Sequence, residues 1–296
     1  MQRSEPAAGS IYDLGYRRYE GPRLGRRHAF AALYWHSLRS AFGMGRRASS
    51  KVIPIGLAVL TLIPAVIQLG IAAIAANVVE VYTAWNYYGF IQVTLSLFCA
   101  AVAPELVGRD QRTHTLSLYF SRSLLRSDYA LAKLAAFTTA FLLLTVGPQT
   151  VLFVGNAFAG NDTMEYIRDN WRDIPRVLVT ATAISSLFAS LGLAIAAQTP
   201  RRAYSTGAIV FAFSVMWVVG QVVVQATDET YGRFALLLSP LHVIRGTVLW
   251  VFDVSPERGS TLALADFDLA VYGLACAAAI GVGVLVLLRR YERISA

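Results

Sequence analysis

The sequence predicts an all-α membrane protein with six transmembrane helices. Hydrophobic residues make up 56% of the 296 residues, and charged residues only 15%, where a soluble domain has about a quarter. The mean hydropathy is +0.52, and the apolar residues form blocks long enough to cross a hydrocarbon core of about 30 Å as helices. Barrel strands would be shorter and would alternate polar with apolar residues.

Six apolar blocks are predicted as spans: 52–78, 87–103, 131–155, 177–197, 203–226 and 269–288. Twenty of the 26 Lys and Arg residues flank one side of these spans. By the positive-inside rule both chain ends are cytoplasmic, including a short tail at 289–296. The net charge of +8 is therefore interpreted as a topology signal, and no nucleic-acid binding is expected.

Residues 1–51 are predicted to form a cytoplasmic segment ending in an amphipathic helix over about 27–42. Its apolar side chains recur at helical spacing, opposite Arg27, His28, His36 and Arg39. Such a helix lies in the membrane interface, either as a lipid anchor or in contact with a partner. The predicted apolar face consists of Phe30, Leu33, Tyr34, Leu38, Ala41 and Phe42.

The stretch 234–254 is apolar but contains Pro240, His242, Arg245 and Gly246. As a seventh span it would place the basic C-terminal tail outside, against the positive-inside rule. A re-entrant hairpin in the outer leaflet keeps an even number of membrane crossings and explains the Pro and Gly in this stretch. Irregular backbone at membrane depth is tolerated where protein covers it. The hairpin is favoured, with the seventh span as the alternative.

The connection at 104–130 holds a short helix with one apolar face. Leu116, Tyr119, Phe120 and Leu124 follow an i, i+3, i+4, i+8 pattern, surrounded by arginines. A face of this kind typically docks into a groove on another protein. A helix resting on lipid head groups is the alternative.

This connection resembles the membrane permeases of type-2 ABC exporters, especially actinobacterial ones. The stretches 12–27 and 237–253 are similar to the same family, whereas His114, Ser123 and Ala132 depart from its usual Gly, Pro and Gly. The matching residues of the connection are Asp110, Arg112, Thr115, Leu116, Leu118, Ser121, Arg122, Arg126, Asp128, Tyr129 and Lys133.

The resemblance implies that this short helix is a coupling helix, which fits into a cleft of an ATP-binding subunit. The sequence has no phosphate-binding G-x-x-x-x-G-K-[ST] loop, so ATP and Mg would bind a separate subunit and this chain would be neither an enzyme nor a cofactor carrier. A second permease, identical or paralogous, would complete the path in the cell membrane. The residues expected to couple to the ATPase are Asp110, Arg112, Thr115, Leu116, Tyr119, Phe120, Arg122, Arg126 and Asp128.

Other functional classes remain as alternatives. An ion-coupled secondary transporter usually has ionisable residues inside its spans, but the six blocks contain no Asp or Glu, and Lys133 is expected to extend its amine to the membrane edge. A sensor or accessory subunit is a further alternative. The four histidines lack metal-ligand spacing, which argues against a membrane-embedded metalloenzyme. Gln68, Gln92, Gln149 and Gln221 are candidates for a translocation path or for bonds between helices.

Overall fold

A computed structural model describes residue 21 and residues 24–45, 48–75, 84–121, 124–159, 163–226 and 232–293. Of these residues, 86% are helical and none lies in a β-strand. Several sequence predictions fall outside the described residues: the similarity at 12–20, the end of the first span at 76–78, and Arg122 and Ser123.

The helices, in chain order, are α1 (Gly25–Ala41), α2 (Ser49–Ala75), α3 (Ala84–Ala103), α4 (Arg109–Arg112), α5 (Leu116–Phe120), α6 (Arg126–Ala159), α7 (Thr163–Asn170), α8 (Asp173–Ala196), α9 (Arg202–Val210), α10 (Met216–Ala226), α11 (Ala235–Leu238), α12 (Pro240–Phe252), α13 (Thr261–Ala265) and α14 (Leu269–Glu292). Two π-helical turns, Pro104–Gly108 and Phe211–Val215, join α3 to α4 and α9 to α10. Each joined pair therefore forms one long rod.

Within the described residues, six helices are long and apolar enough to cross a membrane, which confirms the predicted number. Each overlaps one predicted block, and most extend beyond it. The largest extension is at the second span, where the rod continues from Ala84 to Arg112. Apolar blocks underestimate the length of such helices, because the last turns of a helix contain polar residues.

Helix α6 lies at the centre of the bundle and packs against α1, α2, α8 and α14. The core around it is a continuous set of phenylalanine rings, with neighbouring ring centroids 4.7–6.2 Å apart. Stacked and edge-on rings at these distances contribute beyond simple area burial. The rings belong to Phe98, Phe137, Phe141, Phe188 and Phe213.

Helix α1 occupies the region where the sequence predicts an amphipathic helix. Its predicted apolar side chains are buried or half-buried, and the predicted polar ones are exposed. The apolar face packs on this chain, since the Tyr34 hydroxyl donates to Thr139 Oγ1 (3.0 Å) and Arg26 pairs with Asp128. These two contacts hold α1 against the first half of α6.

The stretch predicted as a hairpin or seventh span forms two helices, α11 and α12. Ser239 between them is extended, and Pro240 begins α12 at a position where a missing N–H is tolerated. Helix α12 has 13 residues, or about 20 Å at 1.5 Å per residue, which is too short to cross about 30 Å of hydrocarbon. It packs on α14, where Gly246 lies directly against the ring of Tyr272.

Candidate functional site

The segment that joins the second and third candidate spans lies at one end of the bundle. We call residues 109–120, which include α4 and α5, the α4–α5 segment. Helix α4 ends at Arg112 with Thr113 as its C-cap, and the next residue, His114, has a left-handed φ of +53°. The N–H of Thr115 donates to the Asp110 carbonyl (3.2 Å) and that of His114 to the Gln111 carbonyl (3.4 Å). This pattern is a Schellman motif, in which the left-handed position favours glycine.

The apolar side of α5 contacts this chain. Leu116 is buried, and the half-buried rings of Tyr119 and Phe120 pack on Tyr129 of α6, with centroids 5.7 and 6.0 Å away. The side chain of Leu118 points away and is 66% exposed. The surface that α5 offers to a partner is therefore centred on Leu118.

A buried polar cluster fixes this segment to α6. Lys133 Nζ lies 2.8 Å from Asp110 Oδ2 and donates to the Leu106 carbonyl at 2.7 Å. The Tyr129 hydroxyl donates to the same Asp110 oxygen at 2.7 Å. Lys133 is only 3% exposed, so its amine is paired inside the protein and does not extend into the surroundings. A buried ammonium requires such a paired and hydrogen-bonded setting.

The same aromatic cluster reaches the end of the last span. Tyr291 of α14 packs on Tyr129 with centroids 4.9 Å apart, and Gln111 Nε2 lies 3.4 Å from the Tyr291 hydroxyl. Gln111 also donates to the Ala197 carbonyl at 3.1 Å. The α4–α5 segment is thus connected to α6, α14 and the end of α8.

The remaining residues predicted for coupling are tied to neighbouring elements as well. Arg112 donates to the Pro200 carbonyl (3.0 Å). Arg126 donates to the Glu292 carbonyl (3.0 Å) and lies over the Phe120 ring. Their guanidinium groups link the α4–α5 segment to the α8–α9 turn and to the end of α14.

Asp128 pairs with the N-terminal helix. It accepts two hydrogen bonds of 2.6 Å from Arg26, and its Oδ2 also accepts one from the Leu125 N–H (3.1 Å), before α6 begins. The hydrogen bonds to Asp128 raise the pKa of Arg26. The pKa of Tyr119 is also raised, chiefly by burial and to a smaller extent by the Asp110 carboxylate, so its hydroxyl stays protonated at neutral pH.

The four glutamines proposed for a translocation path do not line one continuous cavity. Gln92 and Gln221 share a cavity of about 410 Å³. Gln149 lines a separate cavity of about 500 Å³ and donates to the Ala84 carbonyl at 2.9 Å. Gln68 is buried in helix packing and lines neither of them.

Sequence reasoning missed the other polar residues of the cavity that holds Gln92 and Gln221. His242, Arg245 and Glu257 also line it. His242 and Arg245 had a visible signal, since they are two of the three ionisable side chains within the apolar stretch 234–254. The prediction used them only to locate a break in the helix.

Over the described part of the chain, no group of three His, Cys, Asp or Glu side chains is placed to hold a metal ion. In comparisons with known proteins, no family model matches the chain and no curated protein sequence matches it.

Proposed function

We propose that this chain is the permease subunit of an ATP-driven exporter, worked by separate ATP-binding subunits. The six candidate spans support this proposal, as does the α4–α5 segment between two of them. In the proposed topology both termini and the α4–α5 segment face the cytoplasm, because the basic residues concentrate at that end. The membrane would be the plasma membrane.

The observation that supports coupling best is the buried connection from the α4–α5 segment to α6. Asp110 of α4 bonds Lys133 and Tyr129, and Tyr129 in turn supports both rings of α5. Because such contacts do not deform continuously, a displacement of α5 would move the cytoplasmic ends of α3 and α6 together. ATP-driven closure of the partner subunits supplies that displacement in this proposal.

Two further elements have roles in the proposal. Helix α1 would lie at the inner membrane interface, held there by its contacts with the first turns of α6. Helices α11 and α12 would form a re-entrant hairpin in the outer leaflet, since α12 is too short to span. Two copies of the chain, or this chain and a paralogue, would enclose the translocation path, with Gln92 and Gln221 as candidate lining residues.

One observation favours an ion-coupled secondary transporter as a second candidate. The pair Lys133–Asp110 is buried within candidate spans, and ionisable residues in such places often serve ion coupling. Asp110 belongs to the α4–α5 segment, so the pair lies away from the cavity of Gln92 and Gln221. This position fits a structural role of the pair in coupling better than a place on an ion path.

The proposed docking surface is tested by Leu118→Asp, with Leu264→Asp as its matched control. Both leucines are exposed, at 66% and 50%, and Leu264 lies in α13 on the other side of the last span. The tagged chain is purified from its native host, and Walker-motif ATPases that copurify are identified. We expect wild type and Leu264→Asp to retain the ATPase and Leu118→Asp to lose it. Retention by both variants, or solute uptake by the reconstituted chain alone on an ion gradient, would contradict the proposal.

A further inference from the structure

The cavity shared by Gln92 and Gln221 lies at the end of the bundle opposite to the α4–α5 segment. We call it the His242 cavity. The rod α3–α4 has 29 residues, about 43 Å at 1.5 Å per residue, and the cavity is next to its first turns. Its walls come from α3, α10, α12, the loop at 257–260 and the start of α13. Glu257 and Phe90 at its edge are exposed, so the cavity is open to the surroundings.

His242 gives the cavity an unsatisfied polar group. The ring is 3% exposed, and neither imidazole nitrogen has a hydrogen-bond partner in the described part of the chain. A buried imidazolium without a carboxylate partner would be costly, so the ring is neutral and presents one donor and one acceptor. Trp217 stacks on it with centroids 6.3 Å apart.

The position of this ring depends on a glycine of the facing helix. A Cβ atom at Gly220 of α10 would lie 3.2 Å from His242 Nδ1 and Cε1. The glycine therefore lets the imidazole lie close to the α10 backbone, beside Gln221. Arrangements with such close backbone approach are typical of positions where glycine is required.

The charge of Arg245 is largely compensated. Its guanidinium donates to the Trp85 carbonyl (3.0 Å) and to Asn86 Oδ1 (2.9 Å), and it lies 3.7 Å from Glu257. With one cation, one anion and a neutral imidazole, the lining has no net charge. The cavity therefore offers an anion little attraction, and its polarity comes from hydrogen-bonding groups.

We propose that the His242 cavity binds a neutral, polyhydroxylated ligand, of the chemical class of a sugar or a sugar head group. Each hydroxyl both donates and accepts, which matches the neutral imidazole and the amides of Gln92 and Gln221. Trp217 adds an apolar ring face. The volume of about 410 Å³ lies in the range of small-molecule sites.

This inference does not depend on ATP-driven transport, because binding is measured on the purified chain alone. The chain is reconstituted in nanodiscs free of glycoside detergent, and maltose is titrated by calorimetry. In a second arm the nanodiscs contain a diglucosyl diacylglycerol, and competition by maltose is followed. Saturation by free maltose identifies a soluble sugar as ligand, whereas binding of the lipid alone identifies a head group; both support the proposal.

The variants are His242→Phe, which keeps an aromatic ring but removes both nitrogens, and Gln221→Leu, which leaves His242 unchanged. We expect each to weaken binding at least tenfold. The control is Gln225→Leu, at an exposed glutamine one turn further along α10 that does not line the cavity, and it should bind as wild type does. Should His242→Phe fail to fold, Gln221→Leu decides the question. Absence of saturable binding in both arms, unchanged binding in the folded variants, or tighter binding of inorganic phosphate than of maltose would overturn the proposal.

Discussion

Asp110 and Lys133 lie 2.8 Å apart and join the end of the second candidate span to the start of the third, with Lys133 buried and Asp110 half-buried. The Leu106 carbonyl and the Tyr129 hydroxyl complete the hydrogen bonding of the two charges. Charges removed from water in this way are tolerated as a satisfied set. The α4–α5 segment therefore has a fixed position on the bundle, independent of any partner.

We expect Asp110→Asn to destabilise the fold by about 3 kcal/mol, because it leaves the Lys133 ammonium buried without a counter-charge. The double variant Asp110→Asn/Lys133→Met should be more stable than Asp110→Asn alone, since no unpaired charge remains. The measurement is SDS-induced unfolding of the purified chain. Arg109→Gln, at an exposed neighbour, is the control and should change the free energy by less than about 0.5 kcal/mol.

Because His114 has a left-handed backbone conformation, glycine at this position should make the fold more stable. His114→Gly should stabilise the fold by about 1 kcal/mol, because a left-handed conformation costs a residue with a Cβ about 1–2 kcal/mol. Ser117→Gly, three residues later inside α5, should instead destabilise by about 0.5 kcal/mol, since glycine is a poorer helix former than serine. The same unfolding measurement compares the two. Equal signs for both variants would refute the Schellman interpretation.

Two glycines in the last span predict opposite responses to the same substitution. A Cβ at Gly283 would lie 2.9 Å from the backbone carbon of Ser190, so alanine would separate α14 from α8. At Gly281 no atom lies within 4 Å. We expect Gly283→Ala to destabilise by about 1–3 kcal/mol and Gly281→Ala to be neutral or slightly stabilising. Thermal unfolding in detergent measures both; a destabilised Gly281→Ala would contradict this packing.

The six spans could be predicted from the sequence because block length and apolar content depend only on neighbouring residues. The helix break at Pro240 could be predicted for the same reason, because it depends on the proline itself. The contacts that join distant segments were not predictable in this way: Asp110 and Lys133 are 23 positions apart, and Arg26 and Asp128 are 102 positions apart. Likewise, the pattern of Tyr119 and Phe120 revealed an apolar face, but only the fold determines that this face packs on Tyr129.

The packing of α5 leads to a test that separates docking from force transmission. Tyr119→Ala/Phe120→Ala removes the rings that lie against Tyr129 but leaves Leu118 at the surface. We expect this variant to retain at least part of its ATPase partner while losing most partner-dependent transport, because α5 no longer moves with α6. The exposed-residue variant Leu118→Asp should instead lose the ATPase partner, and its transport should fail as a consequence. Copurification and ATP-dependent export are measured on the same preparations, and full transport by the double alanine variant would exclude α5 as the coupling element.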